Sequence, residues 1–260
     1  MTLADRLRSA DPGERAAAIA DIAGRSTVDA DELAALAECL GHARKAVQRP
    51  AADACAALAA QGVDVRPVLA EALASPLGRQ RWGAAFALAR MGTPPPETLP
   101  VLLETLGGDD GDIRWAAAEI LRRLPERPPV VEALGRLVRA GNGAQRKMAL
   151  YCLRDLGARG TELEQAALWV LGDAQHDVRL AAIAWLVRHA SAREIVADRL
   201  LIALSGDDPQ LRRAAAAGLG TLGERSPRVV SALRAACATP DPSLRRAAEG
   251  ALRQLGAGSD

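Results

Sequence analysis

Residues 208–223 read DPQLRRAAAAGLGTLG, and residues 241–256, 33 positions further on, read DPSLRRAAEGALRQLG. Each stretch opens on Asp-Pro, a helix N-cap followed by a residue whose φ already suits the first turn. Each closes on a Gly suited to a left-handed helix cap. Between these marks, apolar residues return at intervals of three and four, the spacing of a helix buried along one side. Asp11-Pro12 opens a third stretch in the same way.

With the Arg after the first Leu taken as position zero, the pattern extends over the whole chain. Position zero falls at Arg15, Gln48, Arg81, Arg114, Arg146, Arg179, Arg212 and Arg245, at intervals of 33 with a single interval of 32. Position +3 is Ala in every case, from Ala18 to Ala248, and position +7 is aliphatic or Cys. A second apolar register sits upstream, at −12 (Leu3, Leu36, Leu69, Leu102, Leu134, Ala167, Leu200, Leu233) and at −8 (Leu7, Leu40, Leu73, Leu106, Val138, Leu171, Leu204, Cys237). Each unit therefore predicts a helix A, a short turn and a helix B. A fixed period of this length predicts an all-α solenoid of about eight helix-pair repeats. The expected repeats are 1–26, 27–59, 60–92, 93–125, 126–157, 158–190, 191–223 and 224–256, in one continuous array over 1–260. Gly92, Gly157, Gly223 and Gly256 are expected to end the B helices. Asp21 and Glu249 place polar residues in slots that are mostly apolar or small elsewhere, as terminal repeats facing water require.

Apolar residues make up 49% of the chain but aromatics only 2%, so the core has to be built from Ala, Leu and Val. The net charge of +1 supplies no global field toward nucleic acid or membrane. Cys39, Cys55, Cys152 and Cys237 form no CxxC, and Cys55 and Cys237 occupy slots that hold Leu, Ile or Val elsewhere. They read as small buried hydrophobes in a reducing compartment. The opening MTLADRLRSA lacks the pattern of a signal peptide, and no apolar run is long enough to span a bilayer. A cytoplasmic protein without metal, cofactor or membrane contact is expected.

The two stretches quoted first resemble short HEAT repeats, most closely the type found in phycobilisome lyases and many bacterial scaffold proteins. The resemblance covers essentially the whole chain. It implies an α-solenoid whose B helices line the concave surface, and a position-zero Arg that pairs with turn carbonyls or acids of a neighbour.

On an ideal helix B, positions +1 and +5 point away from the core. Four of the six aromatics fall there, at Trp82, Phe86, Trp115 and Tyr151. Large aromatics clustered on an outward face are candidate contact anchors. Trp169 and Trp185 fall nearer the core and are expected to pack there. The same side carries Arg49, Arg90, Arg122, Arg123, Lys147, Arg154, Arg188, Arg213, Arg246 and Arg253, against Asp53, Glu119 and Asp155. Many acids lie instead on helix A and the turns. The candidate binding set is Trp82, Phe86, Trp115, Tyr151, Arg49, Arg122, Arg123, Lys147, Arg154 and Arg188. Its expected partner is an acidic protein or peptide surface, or a nucleic-acid backbone.

The sequence shows no Ser-His-Asp set, phosphate loop, His-rich metal motif or dinucleotide fingerprint. A non-catalytic interaction scaffold is the expected class. The alternative is nucleic-acid binding, extending to an enzyme: Trp115, Glu119 and Lys147 resemble the cleft of HEAT-like alkylpurine DNA glycosylases. That resemblance implies a Trp ring holding a cationic base, Glu119 stabilising developing positive charge, and Lys147 on a phosphate. The glycosylases carry Asp and Arg where this chain has Glu119 and Lys147. Ala184 stands where they place a further Trp, with Trp185 one position away.

Overall fold

The computed structural model describes residues 1–257. Among them are sixteen α-helices, two short 3-10 turns and no strand. The chain divides into two compact units, 1–130 and 131–260. The first unit holds α1 (Leu3–Leu7), α2 (Pro12–Ala23), α3 (Ala30–Leu40), α4 (Lys45–Ala60), α5 (Arg66–Leu73), α6 (Gly78–Arg90), α7 (Leu99–Thr105) and α8 (Gly111–Arg123). The division falls within α9 (Arg127–Ala140). The second unit continues with α10 (Gly143–Asp155), α11 (Thr161–Trp169), α12 (His176–His189), α13 (Arg193–Ser205), α14 (Pro209–Leu222), α15 (Pro227–Cys237) and α16 (Pro242–Gln254). Odd-numbered helices are the A helices and even-numbered ones the B helices.

Consecutive B helices pack on one another, α2 on α4 on α6 in the first unit and α10 on α12 on α14 on α16 in the second. The Ala at +3 is the contact that permits this. Ala18, Ala51, Ala84, Ala117, Ala149, Ala182, Ala215 and Ala248 are all 0% exposed. A methyl group there lets two helix axes approach closely, and anything larger has nowhere to go in an interior packed at crystal density. The −12 positions are buried as well, from Leu3 to Leu233. The four cysteines are free, Cys39, Cys55 and Cys152 buried and Cys237 partly so. Burial pushes the Cys55 thiol up to about 12 and the Cys39 thiol up to about 11, so neither is a nucleophile at neutral pH.

The caps follow the sequence signals. Asp208 accepts from the N–H groups of Gln210 and Leu211, and Asp241 from those of Ser243 and Leu244. Asp11 accepts from Gly13 N–H. Gly223 ends α14 in the left-handed region at φ 75°. Asp21 is exposed and meets Arg6 at 2.7 Å, and Glu249 is exposed.

Position zero forms a ladder. Its guanidinium turns back to the carbonyls at the end of the preceding A helix or in the A–B turn. Arg15 donates to Ser9 O, Arg81 to Ser75 O, Arg114 to Gly108 O, Arg146 to Gly141 O, Arg179 to Asp173 O and Arg212 to Leu204 O. Three of these arginines also reach an acid of the next repeat: Arg81 to Glu104, Arg146 to Asp173 and Arg179 to Asp208. Gln48 keeps the role with an amide, its Nε2 donating to Leu40 O at 2.8 Å and to Arg79 O of the next repeat at 3.4 Å.

Glu164 is a second inter-repeat tie. It is 6% exposed on α11 and accepts from Ser191 N–H, Ser191 Oγ and Ala192 N–H at 2.9, 2.7 and 2.8 Å. It thereby caps α13, which has no capping side chain of its own. Burial alone would raise its pKa, but the bonds from Ser191 and Ala192 outweigh burial and hold it below the ordinary 4.5.

Two predictions follow from this packing. Ala215→Leu overfills the helix–helix contact and lowers stability by about 1–3 kcal/mol. Ala217→Leu, on the exposed side of the same helix, changes it by under about 0.5 kcal/mol; urea midpoints of the two variants separate these. Glu164→Gln weakens three bonds to a charged acceptor and costs about 1–3 kcal/mol at pH 7. A depressed folded-state pKa means this stabilisation is present above 4.5 and lost as pH falls through the folded-state value. Urea titrations of wild type and variant should therefore converge in acid.

Candidate functional site

The outward B-helix slots of the first unit are only partly open. Trp82 on α6, expected to point outward, is buried, and Phe86 one turn later is half-buried, their rings 5.5 Å apart and tilted by 36°. The cause lies in two close approaches. Gly83 sits against the end of α3, so close that a Cβ there would lie 2.2 Å from Leu40 O. With α6 drawn in, the N-terminal ends of α4 and α8 come within reach of one side chain. Lys45 Nζ meets Asp110 at 2.7 Å and Asp112 at 3.0 Å, bridging repeats two periods apart beside a hollow that Trp82 also lines. Asp110 is held below the ordinary carboxyl range, first by Lys45 and then by the Ile113 N–H that it caps. Behind the bridge lies a cavity of about 360 Å³ lined by Trp82, His42, Glu104 and Asp110 among others.

Trp115 on α8 stands apart from this, at 52% exposed. Glu119, one turn further on, is exposed and pairs with Arg122. Arg123 donates to Ala89 O at 2.9 Å and to Gly92 O. Arg90 meets Asp53 at 2.7 Å. Arg49 is exposed and makes no ion pair among the described residues.

In the second unit, Tyr151 is half-buried with the Arg154 guanidinium 5.0 Å above its ring centre. Arg154 also meets Asp155 at 2.7 Å. Lys147 meets Asp177 at 2.8 Å, and that hydrogen bond is the first cause of the lowered Asp177 pKa. Arg188 is exposed and makes no ion pair among the described residues.

Part of the basic character expected of this face is paired within the chain. Arg90, Arg122, Lys147 and Arg154 each hold a carboxylate, and Arg123 is spent on carbonyls. Trp115 is half-exposed, and Arg49 and Arg188 are exposed and make no ion pair among the described residues. Of the glycosylase-like set, Trp115 and Glu119 stand one turn apart on α8, while Lys147 belongs to the second unit.

The two remaining tryptophans divide. Trp185 is buried as expected, packed on His189 at 5.6 Å. Trp169 was expected to pack and does not: it is 64% exposed. It ends α11, where the chain tightens into a 3-10 turn at Val170–Gly172. The period carries the signal that would have placed it. Trp169 occupies position −10, and the other residues there are Asp5, Glu38, Glu71, Glu104, Arg136, Ile202 and Ala235, all of them exposed.

Paired helices repeated at a fixed period, with consecutive B helices stacked and an arginine ladder between repeats, define an α-solenoid. The chain belongs to the HEAT-repeat family: residues 66–154 and 197–259, more than half its length, match HEAT repeats. No curated protein matches it in sequence. Among solved structures it is similar to importin beta, crystallised in an ammonium sulfate condition, with a TM-score of 0.61 at 15% identity. That likeness covers 97% of this chain and 40% of importin beta, so this chain spans well under half of that protein. An engineered protein aligns at a TM-score of 0.49 and 19% identity over 99% of this chain and 78% of its own length. Among the described residues no helix is long and apolar enough to cross a membrane.

The lysine bridge generates a prediction. Lys45→Ala opens the hollow that Trp82 lines, so hydrogen exchange at the Trp82 indole N–H should accelerate while exchange at Trp185 stays as in the wild type. NMR of the four indole resonances reads both.

Proposed function

We propose that this chain is a non-catalytic protein-interaction scaffold that binds an acidic protein or peptide surface on its B-helix face. HEAT arrays are interaction scaffolds in general, presenting extended surfaces built from stacked repeats. The observation that carries the finer reading is Trp115, a large aromatic 52% exposed on a face that also carries exposed arginines. Exposed Trp beside Arg is the composition of interface anchors. Arg49 and Arg188, which have no carboxylate of their own, are the cations available to a partner. Tyr151 with Arg154 adds a cation–π platform. Trp82 is buried and Phe86 half-buried, so they offer a partner less surface than Trp115.

The nucleic-acid reading through Trp115, Glu119 and Lys147 has less support. Glu119 is occupied by Arg122, and Lys147 by Asp177.

Fluorescence anisotropy with a labelled glutamate-rich peptide and a labelled DNA duplex, at low and physiological salt, tests both readings. The peptide should bind more tightly than the duplex. Trp115→Ala, and Arg49→Glu with Arg188→Glu, should each weaken peptide binding about tenfold, the size of a hot-spot truncation. Duplex binding tighter than peptide binding, with a steep salt slope lost in Lys147→Ala, would replace this proposal with the nucleic-acid one.

A further inference from the structure

The second unit carries an apolar surface on its A helices that the B-helix reading does not use. At position −10, where repeats 1 to 4 place Asp5, Glu38, Glu71 and Glu104, repeats 6 and 7 place Trp169 and Ile202. Both are 64% exposed, the most open large apolar residues of this unit. They line one groove of about 410 Å³ between α11 and α13, floored by Leu168 and Leu171. On its other side Trp169 borders a second hollow, with Arg139.

The charge of these grooves is one-sided. Their charged lining residues are Arg139, Arg179 and Arg199, with no carboxylate. Arg179 is engaged by the ladder, and Arg139 gives one bond to Glu162 O. Arg199 is exposed, and its guanidinium makes no hydrogen bond or ion pair among the described residues. An aromatic ring and a branched aliphatic held open together carry an exposure cost that a solenoid could have avoided with the Glu it uses elsewhere in this slot. A guanidinium at the rim matches a carboxylate in bidentate geometry.

We infer that this A-helix groove is a second docking site, for an acidic amphipathic segment of another protein. Such a segment seats a large apolar side chain between Trp169 and Ile202 and sets Asp or Glu against Arg199 and Arg139. A helical segment suits the groove, with apolar residues one turn apart facing inward and acids on the flank. The inference is independent of the B-helix reading, since none of its residues belongs to that set.

The test is a displayed library of random 12-residue peptides, selected on the full chain and counter-selected on Trp169→Ala. The expected result is enrichment of peptides that are net negative and carry at least one large apolar residue. Resynthesised peptides should bind the wild type at least about tenfold more tightly than Trp169→Ala or Arg199→Glu, as for an anchor and its charged neighbour, and Trp115→Ala should leave them unaffected. Arg199→Glu removes no packed apolar group, and matching thermal midpoints show that the variants are folded. Enrichment of basic or uncharged peptides, or none beyond the counter-selected background, would overturn the proposal. So would concentration-dependent self-association that Trp169→Ala abolishes, because the groove would then belong to a second copy of the chain.

Discussion

The stacking of this chain rests on an arginine near the start of the B helix, which bonds to carbonyls at the end of the A helix or in the A–B turn in six of the eight repeats. An A helix ends with carbonyl groups that have no partner within the helix, and the next helix starts a few residues later. A guanidinium offers several donors in a fixed fork. It satisfies those carbonyls and, from the same group, takes a carboxylate of the following repeat, as Arg146 does with Gly141 O and Asp173. The A–B turn of one repeat and that of the next are thereby tied by one side chain. Gln48 shows which part of the role is structural. A neutral amide still spans Leu40 O and Arg79 O, so donation to carbonyls is kept where the positive charge is not.

Around that ladder the packing is governed by size. Eight alanines at 0% exposure leave no slack between adjacent B helices, and leucines fill the wider gap toward the A helices. Where a glycine replaces a larger residue the spacing closes further. At Gly83 the backbone of α6 lies against the end of α3, and beside it Lys45 bridges to Asp110 at the rim of a hollow that Trp82 lines.

The fold was legible because its signals are local. Ala at +3, Leu at −12 and the Asp-Pro caps each act within a turn or two of helix, and eightfold repetition separates them from chance. The candidate site was legible only in part. Trp115 lies where helix geometry puts it, half-open at position +1. Trp82, at the same position one repeat earlier, is buried, beside a hollow lined also by residues 37 positions before it and 28 after it. Trp169, which its own helix places nearer the core, is 64% exposed. The same slot in the other repeats, acidic in four of eight, marks it as a surface position.

The sequence by itself determined the period, the helix pairing and the buried register, and the resemblance to HEAT repeats implied the role of the position-zero arginine. All of these follow from contacts within one repeat or between adjacent ones. Tertiary structure alone decided which outward residues are open. An ideal helix wheel treats every +1 residue alike, but real exposure depends on how far neighbouring helices close and on which side chains reach across two periods. It likewise decided the charge of the B-helix face. A count of residues on one helix face cannot register that Lys147 holds Asp177 of the next repeat, since that pairing depends on where side chains end rather than on where they start.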